Sequence, residues 1–264
     1  MRIFALIVLL TGAATTTAQQ PTEPAGDSPY SARTFSVLYH QTAAEYRALC
    51  YQAFNLATLR LQAIPDHELK RGKPAIITDI DETILDNSFC EAKLILDRAE
   101  YSSETWKAWT SLKSAPALPG AVEFLKDAHR RGITIFYVSN RDTGEVQWTV
   151  ENLQNLGIPD ADPGHMLFMS NTSSKETRRE EIMKEYDVIM LLGDNLNDFT
   201  IDFEKRSIAD RLNETDRARE EWGRKFIVFP NCIYGEWEKA LYNYGKHLTP
   251  LQKDSIRTSL LKGF

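Results

Sequence analysis

The sequence predicts an α/β fold in which a parallel sheet is flanked by helices. Three observations lead there. Short apolar runs recur at 75–78, 133–138, 166–169, 188–192 and 226–229. Stretches of helical periodicity separate them, and alternation of that length closes through right-handed crossovers into a parallel sheet. The first, second and fourth runs stop at Asp79, Ser139 and Gly193-Asp194. Ligands of such sheets sit beyond the carboxyl ends of the strands, so chemistry is sought at those polar stops.

Taken in order, residues 1–18 read as a secretory signal: Arg2, an apolar run from Ile3 to Leu10, then small residues ending at Ala18. The run is too short to span a bilayer. No cysteine precedes Cys50, so no lipid anchor is expected once the signal is cleaved before Gln19. Residues 19–34, rich in Pro, Gly, Ser and Thr, read as a flexible leader. Residues 35–264 read as one domain with an N-terminal helix and a small helical cap or appended lobe. One long helix is expected over 35–61. Leu38, Thr42, Tyr46, Leu49, Ala53 and Leu56 lie on one face of it, with Cys50, Phe54, Ala57 and Leu61 in an adjacent stripe. Pro119-Gly120 opens a helix that turns Ala121, Phe124, Leu125 and Ala128 inward and closes at Gly132. Further helices are expected over 146–156 and from Lys175 onward. A net charge of −6 without a long basic run argues weakly against nucleic acid as the main partner.

The strand ends carry a constellation of charge. Asp79 and Asp81 alternate to the same side as the chain leaves the first strand. Two neighbouring carboxylates repel unless a cation lies between them or one takes a proton, which suits a metal site or a nucleophile with an acid–base partner. Ser139, Asn140 and Arg141 follow the second strand, where hydroxyl, backbone N–H and guanidinium groups could hold phosphate oxygens. By itself that stretch reads rather as a polar helix cap. Lys175 follows the third strand and would be an ordinary surface charge but for the acids it could compensate. Asp194 and Asp198 follow the fourth and offer hard oxygen ligands.

Acid pair, hydroxyl, lysine and acid pair, in that order, resemble the four motifs of the haloacid dehalogenase superfamily. The stretches Asp79-Ile-Asp-Glu-Thr-Ile-Leu-Asp-Asn87 and Ile189-Met-Leu-Leu-Gly-Asp-Asn-Leu-Asn-Asp-Phe199 look like those of its class C acid phosphatases, the secreted 5′-nucleotidase type. Gln41 to Leu49, Trp106 and Trp109, Pro230-Asn231, and Tyr234 to Glu238 extend the likeness over nearly the whole mature chain. The resemblance implies a Rossmann-like sheet and a secreted or periplasmic Mg²⁺-dependent acid phosphatase. Its substrates would be phosphomonoesters, nucleoside 5′-monophosphates among them. Asp79 would attack phosphorus and Asp81 would act as acid and base. Mg²⁺ would be held by Asp79, the Asp81 carbonyl and Asp194, with Asp198 close behind. Ser139, Asn140 and Lys175 would hold phosphate oxygens, and Arg141, Phe89, Trp106, Trp109 and Tyr234 are candidates for contacts with the rest of the substrate.

Two departures stand near the leaving group: Ser88-Phe89-Cys90 where the family has Ser-Pro-Tyr, and Asn231-Cys232 where it has Asn-Pro. The three cysteines read as small buried apolar groups. If export pairs two of them, Cys90 and Cys232 are the expected pair. Two other readings stand beside the hydrolase, a phosphotransferase using the same intermediate and an idle storage or surface-binding protein on the same fold. Assembly into a homo-oligomer stays open.

Overall fold

The computed structural model describes residues 31–264; the expected signal over 1–18 and most of the leader lie outside them. The chain enters through α1 (Ser31–Thr42) and α2 (Ala44–Gln62), passes the short α3 (Asp66–Leu69) and reaches β1 (Pro74–Thr78). An insertion of α4 (Ser88–Leu96) and α5 (Ser103–Thr110) comes next, followed by α6 (Ala121–Arg130) and β2 (Thr134–Asp142). Then α7 (Val146–Asn155), β3 (Met166–Met169), α8 (Glu176–Met183) and β4 (Asp187–Gly193) alternate. The chain closes with α9 (Ile208–Arg217), β5 (Phe226–Val228), α10 (Glu236–Leu241) and α11 (Pro250–Leu260). The five strands form one sheet in the order β3-β2-β1-β4-β5, every neighbouring pair parallel. The α/β class read from the apolar runs is the one observed.

Central β1 is buried along its whole length, as a strand covered on both faces must be. Ile76 packs into the larger core with Phe54 and Leu61 of α2 and Phe124 and Leu125 of α6. Ala75 and Ile77 face the other way, against Phe136, Ile182, Leu191 and Phe199. Burying such aliphatic side chains contributes about 1.5–3 kcal/mol each, and this two-sided packing is what fixes the strand ends in space. Gly120, at φ +93°, lets α6 start hard against α2; a Cβ there would meet the Phe54 ring at 3.1 Å.

Three expectations are corrected. The helix expected over 35–61 is two, broken at Ala43, which adopts extended angles. No Pro or Gly marks the break. His40 stacks on Tyr46 across it, with ring centroids 4.1 Å apart, and accepts from the Cys232 backbone N–H at 3.3 Å, so tertiary contacts hold it. Of the two stripes, only Cys50, Phe54, Ala57 and Leu61, with Tyr46, are buried, whereas Leu38 and Leu49 are exposed. Helix α1 also takes in residues before 35: Arg33 ion-pairs with the buried Glu91 of α4, tying the end of the expected leader to the domain. Finally, Cys50, Cys90 and Cys232 are all free. Cys50 and Cys90 are buried, as read, but Cys232 is exposed beside the Ser36 carbonyl (Sγ···O 3.8 Å), which corrects the buried reading for that residue, and the alternative Cys90–Cys232 pairing is not formed.

Candidate active site

β1 and β4 deliver the acids. The backbone N–H of Asp79 still donates to the Leu192 carbonyl at 2.9 Å, so the side chain hangs from the last rung of the β1–β4 ladder. The chain then turns tightly, with the N–H groups of Ile84 and Leu85 both donating to the Ile80 carbonyl at 2.9 Å and Glu82 at φ +56°. Both aspartates thereby reach one cavity of about 1040 Å³ at the carboxyl ends of the strands.

Within it, one oxygen from each of Asp79, Asp194 and Asp198 lies within 4.8 Å of the others. Lys175, delivered by the turn before α8, places Nζ 2.7 Å from Asp79 and 2.6 Å from Asp198. Asp198 comes close because residue 193 is glycine: a Cβ there would stand 2.5 Å from the Asp198 Cβ. Asn231 donates to Asp194 at 2.7 Å, and Thr83 does so at 3.3 Å. Three buried or half-buried carboxylates thus share one ammonium. Burial, partly opposed by Lys175 and reinforced by Asp198 and Asp81, pushes the Asp79 carboxyl up to about 7. Burial and the charges of Asp198 and Asp79 raise Asp194 well above the usual carboxylate range. Burial works against the charge on Lys175, but Asp198 and Asp79 outweigh it and hold its pKa above the ordinary value. The cluster carries more negative charge than its surroundings compensate, and its donors are all hard oxygens. That donor set fits a divalent cation.

Asp81 has a separate cradle. Its carboxylate accepts from Arg141 Nη2 at 2.7 Å and Nε at 3.1 Å, from Asn87 Nδ2 at 2.8 Å and from Ser139 Oγ at 3.3 Å. Asn87 is fixed in turn: its Oδ1 accepts from Trp109 Nε1 and its backbone N–H donates to buried Glu82, both at 2.8 Å. Asp79 and Asp81 therefore open into the same cavity from independent supports, one in the acid cluster and one among donors only.

The model of the HAD superfamily, subfamily IIIB (acid phosphatase), matches residues 14–237. The chain belongs to this family. It is similar to the class C acid phosphatase from Bacillus anthracis with tungstate bound, at 39% identity and a TM-score of 0.82, over 88% of this chain and 97% of that one. A second structure of the Bacillus anthracis class C acid phosphatase matches at 39% identity and a TM-score of 0.84, over 90% and 99% of the two chains. The chain is thus an enzyme, a phosphoric monoester hydrolase of the acid phosphatase type, and its substrate is a small phosphomonoester. Neither the phosphotransferase nor the storage reading is favoured.

Of the residues singled out in the sequence, this acid phosphatase brings Asp79, Asp81, Asn140, Arg141, Lys175, Asp194, Asp198, Trp106 and Tyr234 to the cavity wall. The Arg141 guanidinium carbon stands 5.6 Å from the centre of the Trp106 ring. Ser139 is fully buried behind the wall, its hydroxyl engaged by Asp81 and by the Arg141 N–H at 3.1 Å. Phe89 and Trp109 stand outside the lining and stack on each other, with centroids 6.1 Å apart; Trp109 serves Asn87 instead. Three further contributors had no functional reading in the sequence. Asn87 and Asn231 were seen only as part of a likeness. Arg178, which donates to the Ser139 carbonyl and to Asn140 Oδ1, both at 2.6 Å, gave no signal beyond its place in a charged helix.

Proposed function

We propose that the enzyme is an exported Mg²⁺-dependent acid phosphatase that hydrolyses nucleoside 5′-monophosphates through an aspartyl-phosphate on Asp79. The observation that carries the reading is Lys175 Nζ, 2.7 Å from an Asp79 oxygen inside a cluster of acids at a strand end. A phosphomonoester approaching there meets a carboxylate nucleophile with a cation at its side. The Asp79 oxygen bonds to phosphorus as the ester P–O bond breaks, and Asp81 delivers a proton to the departing alkoxide. Asp81 then takes a proton from water as the water oxygen bonds to phosphorus, the aspartyl–phosphorus bond breaks, and Asp79 is restored. Lys175 and Asn140 hold non-bridging oxygens, and Ser139 contributes through Asp81 and Arg141. Asp79, Asp194 and the Asp81 carbonyl would hold Mg²⁺, with Asp198 beside them; when bound it supplies positive charge against the phosphate.

Tungstate, bound in the Bacillus anthracis relative, is a tetrahedral oxyanion, and this supports an oxyanion site here. Tyr234 and Trp106 in the lining support a stacked base. Residues 1–18 support export, with Gln19 as the mature N-terminus. Phosphate release from a panel of nucleoside monophosphates and aryl phosphates, with and without chelator, tests the reading. Hydrolysis that survives exhaustive chelation, or indifference to the nucleoside, would contradict it. N-terminal sequencing of the exported protein tests the cleavage site.

A further inference from the structure

The cavity of about 1040 Å³ is far larger than one phosphoryl group and lies at the upper end of pockets that enclose whole small molecules. Part of its wall comes from the C-terminal segment, which contributes Gly245, His247, Leu248, Pro250, Lys253 and Arg257. That segment lies beyond residue 237, where the family match ends. It brings two fixed cations and a histidine to the cavity and no carboxylate. Asp254, which pairs with Arg257 at 2.6 Å, is not part of the lining. Lys253 makes no ion pair among the described residues; its Nζ stands 5.6 Å from the centre of the Tyr242 ring.

Nothing ties these groups to the phosphoryl end. Among the described residues, the ion pairs of Asp79, Asp81 and Asp198 go to Lys175 and Arg141. No hydrogen bond or ion pair joins them to the C-terminal segment. Of the outer carboxylates, Glu91 is neutralised by Arg33, while Glu100 and Glu238 come from earlier elements and face a cavity that Lys239 also lines. A long ammonium and a planar guanidinium lie one helical turn apart on α11; Arg257 feels Asp254 and Glu238, whereas Lys253 has no ion pair among the described residues, and the two together match a phosphate group.

We propose that Lys253 and Arg257 form a second anion subsite, which receives a phosphate carried by the leaving group while the scissile phosphate sits at Asp79. The preferred substrates are then doubly phosphorylated, of the class of nucleoside 3′,5′-bisphosphates. The inference rests on phosphoryl transfer at Asp79. The reaction is unchanged; only the discrimination between leaving groups is assigned to α11.

The test is the ratio of kcat/KM for a nucleoside 3′,5′-bisphosphate to that for the matching nucleoside 5′-monophosphate, with a simple aryl phosphate as a third substrate. In the wild-type enzyme the ratio should exceed one. It should fall about tenfold in the Lys253→Ala/Arg257→Ala double variant and recover in Lys253→Arg/Arg257→Lys, which keeps the charges. The wild-type ratio should also fall between about 10 mM and about 1 M salt, as the screening length shrinks from about 30 to about 3 Å. This second arm decides the matter should the double variant fail to fold. A ratio of one or less in the wild-type enzyme overturns the proposal, as does a ratio that ignores both the substitutions and salt. If the aryl phosphate is not hydrolysed either, it is the reading of Asp79 that has failed. If it is hydrolysed and the ratio stays flat, only the subsite is wrong.

Discussion

Replacing Asp79 by Asn should destroy activity and, in the metal-free enzyme, raise stability. The Asp79 carboxyl sits at about 7 in the folded, cation-free protein because it is buried among acids, against about 3.9 in an unfolded chain. Between those values the folded state holds a proton that the unfolded state has released. Wild-type stability therefore falls as pH rises from about 4 to 7 and levels off above. A gap of about three units corresponds to a ceiling of about 4 kcal/mol. Asparagine removes this titration. Part of the gain is offset because Lys175 loses one carboxylate partner, although it keeps Asp198 at 2.6 Å. The net expectation is a variant about 1–3 kcal/mol more stable than wild type near pH 8, with the advantage fading toward pH 4. Urea unfolding of both proteins in chelator across that range measures it. Added Mg²⁺ should narrow the difference by stabilising wild type more. Phosphatase activity should fall by at least about 10³-fold. A variant less stable at pH 8, with an unaltered pH profile, would refute the claim that the acid cluster is under-compensated. Retained turnover would refute Asp79 as the nucleophile.

Other consequences follow from the same contacts. Asn87→Ala removes the donor 2.8 Å from Asp81 and strands the Trp109 N–H; kcat should drop about 10–100-fold with KM little changed, in steady-state kinetics on an aryl phosphate. Lys175→Met leaves Asp79 and Asp198 facing each other without a cation; unfolding at neutral pH should show a loss of about 3–5 kcal/mol, smaller in acid, where the acids are protonated. Cation affinity should weaken as pH falls below about 7, because Asp79 and Asp194, both raised, must release protons to bind it. Titration calorimetry in buffers of different ionisation heat would detect that release. If Tyr234 stacks on a base, Tyr234→Ala should lose about 1–3 kcal/mol of kcat/KM on nucleoside monophosphates and little on a small aryl phosphate; equal losses would make it a wall residue only.

The sequence by itself determined the sheet and the acids at its edge. Apolar runs bounded by helices leave few ways to pack, and β1, buried on both faces, had to end at Asp79 whatever surrounded it. Motif order carried Asp194, Asp198 and Lys175 to the same edge, because every parallel strand delivers its carboxyl end there. Tertiary structure alone decided what each side chain does on arrival. Period-two alternation placed Asp79 and Asp81 together, yet Asp81 is claimed by Arg141, 60 residues away. Asp194 is held by Asn231, 37 residues on. Trp109, read as a platform for the substrate, spends its N–H on Asn87, and the break at Ala43 answers to Cys232. The C-terminal wall likewise carries no motif; only its position over the cavity gives Lys253 and Arg257 a meaning. Periodicity encodes which face of an element is buried, whereas a hydrogen bond between distant residues depends on a few tenths of an ångström set by the packing of everything between them.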